Sequence, residues 1–132
     1  MAQYNIFISH AWKYDEHYNK IVQWLNEAKL DWKNYSVPNH DPADANNKTK
    51  LKEVLTSQIR PASCVIILAG MYAAYSDWIE YEVNESVRMG KKIIGVEPWG
   101  QEKIPKIVSD NATVMVGWNS SSVVNAVKDQ CK

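Results

Sequence analysis

The chain has one phenylalanine, two cysteines, five glycines and no surplus of charge. Each shortage excludes something. Fifteen basic and fifteen acidic residues cancel over 132 positions, so no global positive field is present to hold nucleic acid or an anionic membrane. Charge runs are short. The densest, Lys48-Thr49-Lys50-Leu51-Lys52, is expected to be the solvated start of a helix and not a phosphate site. No apolar run approaches the roughly 20 residues that a membrane span needs. Met1-Ala2-Gln3-Tyr4-Asn5 has neither the basic nor the apolar region of a secretory leader. The pair of cysteines does not suggest a disulfide framework and lacks metal-ligand spacing. Cys64 lies in an apolar run and is expected to be a small buried hydrophobe, while Cys131, next to last, is expected to be mobile. These features predict a soluble, cytoplasmic chain with reduced thiols, no metal, no membrane and no nucleic-acid partner.

Familiar ligand loops are missing too. There is no Gly-x-Gly-x-x-Gly and no Gly-x-x-x-x-Gly-Lys. His10, His17 and His40 show no paired metal spacing. Of these, His10 closes the first strand candidate and is the one placed for a site; His17 is expected on a helix surface. What the chain does have is six tryptophans and seven tyrosines. Two readings fit them: amphipathic rings at the core boundary, or a pocket that stacks flat rings.

The order of elements follows from periodicity. Residues 4–9 form an apolar-rich strand candidate, and 15–30 carry apolar side chains at helical steps of three and four. Residues 32–37 form a short, weak strand candidate. The Pro38 to Asn47 segment is rich in Pro, Asn and Asp, so a loop is expected there. Residues 50–59 form a second helix. Residues 63–69 are a continuous apolar run, as expected of a strand covered on both faces. Ser76 or Asp77 caps a third helix that ends near Met89, with Gly90 as its stop. Strands at 93–97 and 112–118 follow, joined by an irregular connection, and a last helix capped by Ser120 to Ser122 covers 123–130. Strands alternating with helices imply a parallel sheet with right-handed crossovers. The expected fold is α/β, a flavodoxin-like, three-layer, doubly wound sheet of five parallel strands in the order 2-1-3-4-5. One domain is expected over residues 1–132.

In such sheets ligands sit outside the carboxyl ends of the strands, where the strand order reverses. That rule selects Ser9-His10-Ala11-Trp12 after the first strand, the Pro38 to Asn47 loop, and the stretch from Gly70 to Ser76 that leads into Trp78 and Glu82. Trp78 and Glu82 are four apart, on one helix face. Ile79, Val83, Ser86 and Val87 form the stripe expected to face the sheet, which leaves Glu82 beside it, at a pocket edge. A partly buried carboxyl at a pocket edge can have a raised pKa. A phospho-receiver domain would share this fold, but it needs an Asp at the end of the third strand, where this chain has Leu68-Ala69-Gly70.

Together these residues resemble a TIR (Toll/interleukin-1 receptor-like) domain. Tyr4-Asn5-Ile6-Phe7-Ile8-Ser9-His10 resembles its opening strand, with Asn5 where Asp is usual. Ser63 to Leu68 resembles its third strand. Ser76-x-Trp78-x-x-x-Glu82 resembles its Ser-x-Trp-x-x-x-Glu signature, with Ile79 where Cys often stands. The segment after the second strand lacks the Arg-Asp-x-x-Pro-Gly pattern of receptor-type members, which argues against receptor-adaptor signalling. A short TIR-like domain of this kind is more similar to the bacterial Thoeris antiphage sensors. Those cleave NAD+ and make a cyclic ADP-ribose isomer that activates a separate effector.

The resemblance implies NAD+ as substrate with no cofactor, self-association through TIR–TIR contacts, and an effector reached through a diffusible nucleotide. It makes Glu82 the catalytic carboxylate. Phe7, Ser9, His10 and Trp12 would lie toward the substrate, Trp78 would stack on a flat ring, and Ser76 would cap its helix or bond the nicotinamide end. Two other readings stay open: a non-catalytic TIR interaction module, and a nucleoside deoxyribosyltransferase-like enzyme, which has the same type of fold and a Glu nucleophile.

Overall fold

The computed structural model describes residues 4–9, 15–36, 48–68, 76–97 and 106–131. Five strands alternate with five helices: β1 (Tyr4–Ser9), α1 (Asp15–Glu27), β2 (Trp32–Asn34), α2 (Lys48–Ile59), β3 (Cys64–Leu68), α3 (Ser76–Arg88), β4 (Lys92–Val96), α4 (Lys106–Asn111), β5 (Val114–Val116) and α5 (Ser120–Gln130). The sheet is all parallel in the order β2-β1-β3-β4-β5, as expected. Helix α1 packs with α5, while α2 and α4 both pack with α3. Two helical groups therefore cover the sheet. Right-handed crossovers produce this arrangement, because the chain winds outward from β1 in one direction and from β3 in the other. The carboxyl ends of β1 and β3 are the switch point.

The apolar run of the third strand is fully enclosed: every residue from Cys64 to Leu68 is buried. Ile6, Phe7 and Ile8 pair with Cys64, Val65 and Ile66 in register. Ile93, Ile94 and Val96 of β4, Leu55 and Ile59 of α2, and Ile21 and Leu25 of α1 complete the core. Helix α3 stops as the sequence predicts. Gly90 takes the left-handed conformation at φ +70°, and the N–H of Lys91 bonds back to Ser86 O at 2.8 Å.

Several expectations need correction. The connection after β4 holds a helix, α4, with only Val108 buried. Six residues are too few for an apolar stripe to repeat. The cap of α5 is Asn119, whose side chain accepts the N–H of Ser122 at 2.8 Å; the serines lie inside the helix. Cys131 is not mobile. It is fully buried and bonded to Cys64 across 67 positions, with Cα atoms 5.0 Å apart. Its N–H extends the bonding of α5 by donating to Val127 O at 2.9 Å, and this last turn carries it to the foot of β3. Nothing in the spacing of two cysteines reveals such a contact. His17 is buried instead of surface-lying, edge-on to Trp118 with ring centroids 5.4 Å apart. Trp24 packs on the same indole at 4.8 Å. For these rings the core-boundary reading holds.

Candidate functional site

The site is built where β1 ends and α3 passes over it. Side chains alternate along a strand, so Phe7 and Ser9 share one face of β1. Phe7 is 1% exposed and belongs to the core, so it forms a floor beneath the site and presents no surface to a ligand. Ser9 is the last residue of the strand and is also buried. A hydroxyl in that position must find a partner. It finds one 73 positions away: Ser9 Oγ donates to Glu82 Oε1 at 2.7 Å.

Glu82 is only 3% exposed, which corrects the expectation that it sits at a pocket edge. The reason is helix phase. Val83 and Ser86 are buried as expected, but Val87 is 50% exposed. At about 100° per residue, a stripe centred on Ser86 has Glu82 roughly 40° to one side and Val87 roughly 100° to the other. The stripe therefore includes the carboxylate and omits the valine. Ser86 Oγ also donates to Glu82 O at 2.7 Å, a bond to the carbonyl one turn back that hides its own hydroxyl.

The electrostatics follow from this burial. Loss of water pushes the Glu82 carboxyl up from 4.5 to about 8, and the Ser9 hydrogen bond pulls against that rise. Its second oxygen, Oε2, is buried with no hydrogen-bond partner among the described residues. An uncompensated buried carboxyl oxygen costs stability, and such a group is a marker of function.

The other expected site residues are accounted for as follows. Ser76 and Trp78 lie in the first turn of α3, on the helix that carries Glu82; their side chains fall outside the described residues, as do His10 and Trp12. The Pro38 to Asn47 segment also falls outside them. Sequence reasoning assigned Ser9 to the substrate and missed its contact with Glu82. The available signal was a serine at an inward position of an apolar strand. Among the described residues, no three His, Cys, Asp or Glu side chains are grouped so as to hold a metal ion, and no helix is long and apolar enough to cross a membrane.

Comparison with known proteins adds a family. A family model described as the Thoeris protein ThsB, TIR-like domain, matches residues 7–103. No curated protein sequence matches the chain. Among solved structures, the chain is similar to a 2-deoxyribosyltransferase from Bacillus psychrosaccharolyticus, with 18% identity, a TM-score of 0.67, and coverage of 92% of this chain and 90% of that one. It is also similar to a CMP N-glycosidase from Clostridium botulinum, with 13% identity, a TM-score of 0.56, and coverage of 94% and 98%. A 3-dehydroquinate dehydratase-like protein from Bifidobacterium longum matches with 10% identity, a TM-score of 0.54, and coverage of 99% and 96%. At these identities the likeness shows the fold alone.

Proposed function

The chain belongs to the Thoeris ThsB TIR-like domain family, and from that premise we propose that it cleaves the bond between nicotinamide and ribose in NAD+, with Glu82 as its catalytic carboxylate. The product of this reading is a cyclic ADP-ribose isomer that signals to a separate effector in antiphage defence. The observation that carries it is the buried Glu82 carboxyl, with one oxygen held by Ser9 and the other without a partner among the described residues, next to the switch point of the sheet.

The chemistry suits a lone carboxylate. Nicotinamide leaves a pyridinium as a neutral ring, so its departure needs no proton. The barrier lies in the positive charge that develops on the ribosyl carbon. A carboxylate in a water-poor site stabilises that charge strongly, because the local dielectric is low and the group is already oriented. In the free protein, burial favours the neutral acid. The fixed positive charge of the nicotinamide ring favours the carboxylate instead, so a cationic substrate ionises the group that will act on it. Trp78, four residues before Glu82 on the same helix, would stack on a flat ring and exclude water. With water excluded, a nucleophile from the adenosine side captures the ribosyl centre and the product is cyclic; with water admitted, it is ADP-ribose.

The test is incubation of the purified chain with NAD+, alone and under crowding that favours TIR–TIR self-association, with chromatography of the products. Release of nicotinamide that is lost in Glu82→Gln supports the reading. Folded protein that releases none under either condition favours a non-catalytic interaction module. A second reading rests on the fold shared with the 2-deoxyribosyltransferase: exchange of bases on a deoxynucleoside. Base exchange without NAD+ cleavage would replace the first reading with this one.

A further inference from the structure

The two oxygens of Glu82 have unlike surroundings. Oε1 accepts a hydrogen bond from Ser9, and Oε2 accepts none among the described residues. A carboxyl group rotates broadly about its last side-chain bond, so nothing intrinsic to a helix decides which oxygen points where. Here the decision comes from another element. Ser9 ends a central strand whose register is set on both sides, by Tyr4 to Ile6 against β2 and by Ile6 to Ser9 against β3. Its backbone is as rigid as the sheet, and its side chain is 2% exposed.

We propose that Ser9 is the positioning residue of Glu82: its hydroxyl anchors Oε1, so that Oε2 is the oxygen that meets the reacting centre. This rests on the reading of Glu82 as the catalytic carboxylate. The same bond has a second consequence. A hydroxyl that donates to a carboxylate favours the ionised form over the acid. Burial works in the opposite direction and is the larger cause. Ser9 thus limits how far burial can neutralise the group.

The surrounding elements leave Ser9 this role. Strand β3 presents only Cys64 to Leu68, none of them charged. On α3, Ser86 is turned to the Glu82 carbonyl, and Glu85 is held by Arg88, Thr56 and Tyr81. From α2, Thr56 reaches Glu85 and not Glu82. Among the described residues, Ser9 is the donor that reaches the Glu82 carboxyl.

The test is a carbon-13 NMR titration of the side-chain carboxyls in the whole chain, with the Glu82 signal identified by its loss in Glu82→Gln. A hydrogen bond to a charged group is lost in Ser9→Ala, so its titration midpoint should rise by about one unit or more. Nicotinamide release near neutral pH should fall roughly ten- to hundredfold and recover as the pH approaches about 10. Ser9→Thr keeps the hydroxyl and should titrate like the natural chain. An unchanged midpoint in Ser9→Ala overturns the proposal, as does a rate near neutral pH equal to that of the natural chain. If Glu82→Gln retains turnover, the assignment of Glu82 as the catalytic carboxylate falls, and the titration alone decides whether Ser9 holds Glu82.

Discussion

Glu82 and Glu85 stand three residues apart on α3 and meet opposite environments. Glu82 faces β1 and has one neutral donor among the described residues, Ser9; burial drives its carboxyl up to about 8. Glu85 faces α2 and the solvent edge. Arg88 Nε donates to its Oε2 at 2.6 Å and Arg88 Nη2 to its Oε1 at 2.9 Å, while Thr56 Oγ1 donates to Oε1 at 2.8 Å. The Arg88 hydrogen bonds are the chief reason that the Glu85 carboxyl falls to about 2. One helix thus carries a carboxyl kept from ionising and a carboxyl kept ionised. The difference teaches that side-chain type says little about role. Glu85 is satisfied and structural, whereas Glu82 has a buried oxygen with no partner among the described residues.

The largest expected effect tests this division directly. Glu82→Gln should lower nicotinamide release by at least roughly a hundredfold, while Glu85→Gln should stay near the natural rate. Equal losses in the two variants would break the comparison. Next comes the pH profile of the natural chain. Glu82 acts as a carboxylate, so kcat/KM measured from mildly acid to alkaline pH should rise and level off above about 8. A profile that falls over this range would assign Glu82 the opposite protonation state.

Stability should separate the pair by sign. Between 4.5 and about 8 the folded state keeps a proton on Glu82 that the unfolded chain has lost. Stability from this group therefore falls as pH rises through that window. Glu82→Gln removes the cost, and thermal melts should show a gain on the order of a few kcal/mol above about pH 8. The gain should vanish below about pH 4.5, where folded and unfolded states are both protonated. Glu85 is the reverse case. Its stabilisation is present above 4.5 and is lost as pH falls toward about 2, so Glu85→Gln should lower the melting temperature at neutral pH and not at the acid end. The smallest effect concerns the rim of the Glu85 network. Tyr81 OH lies 2.6 Å from Thr56 Oγ1 and donates toward Lys52 O at 3.2 Å. Tyr81→Phe should cost about 1 kcal/mol in chemical denaturation and leave NAD+ cleavage intact.

Much of this was legible in the sequence. The enclosed β3 announced itself as an unbroken apolar run, and Gly90 marked the end of α3. Alternating periods gave the parallel sheet and its strand order, and the switch-point rule then pointed to Ser9 and to the helix of Glu82. The misses share a cause. Helix α4 is too short to have a period, Cys131 and His17 are buried by elements distant in sequence, and Glu82 is deeper than its stripe implies because Val87 faces solvent. A local pattern gives the direction of a side chain to within part of a helical turn; a pocket edge and a buried site differ by less than that.

The sequence by itself determined the family, through residues 7–103, and the order of strands, through spacing that repeats over many residues. Those properties are sums over long stretches and survive an error at any one position. The tertiary structure alone decided that Glu82 loses its water, that Ser9 spends its proton on Oε1, and that Glu85 is paired with Arg88. Each of those depends on which single groups meet across the fold, and a carboxyl's charge is set by its nearest few ångströms.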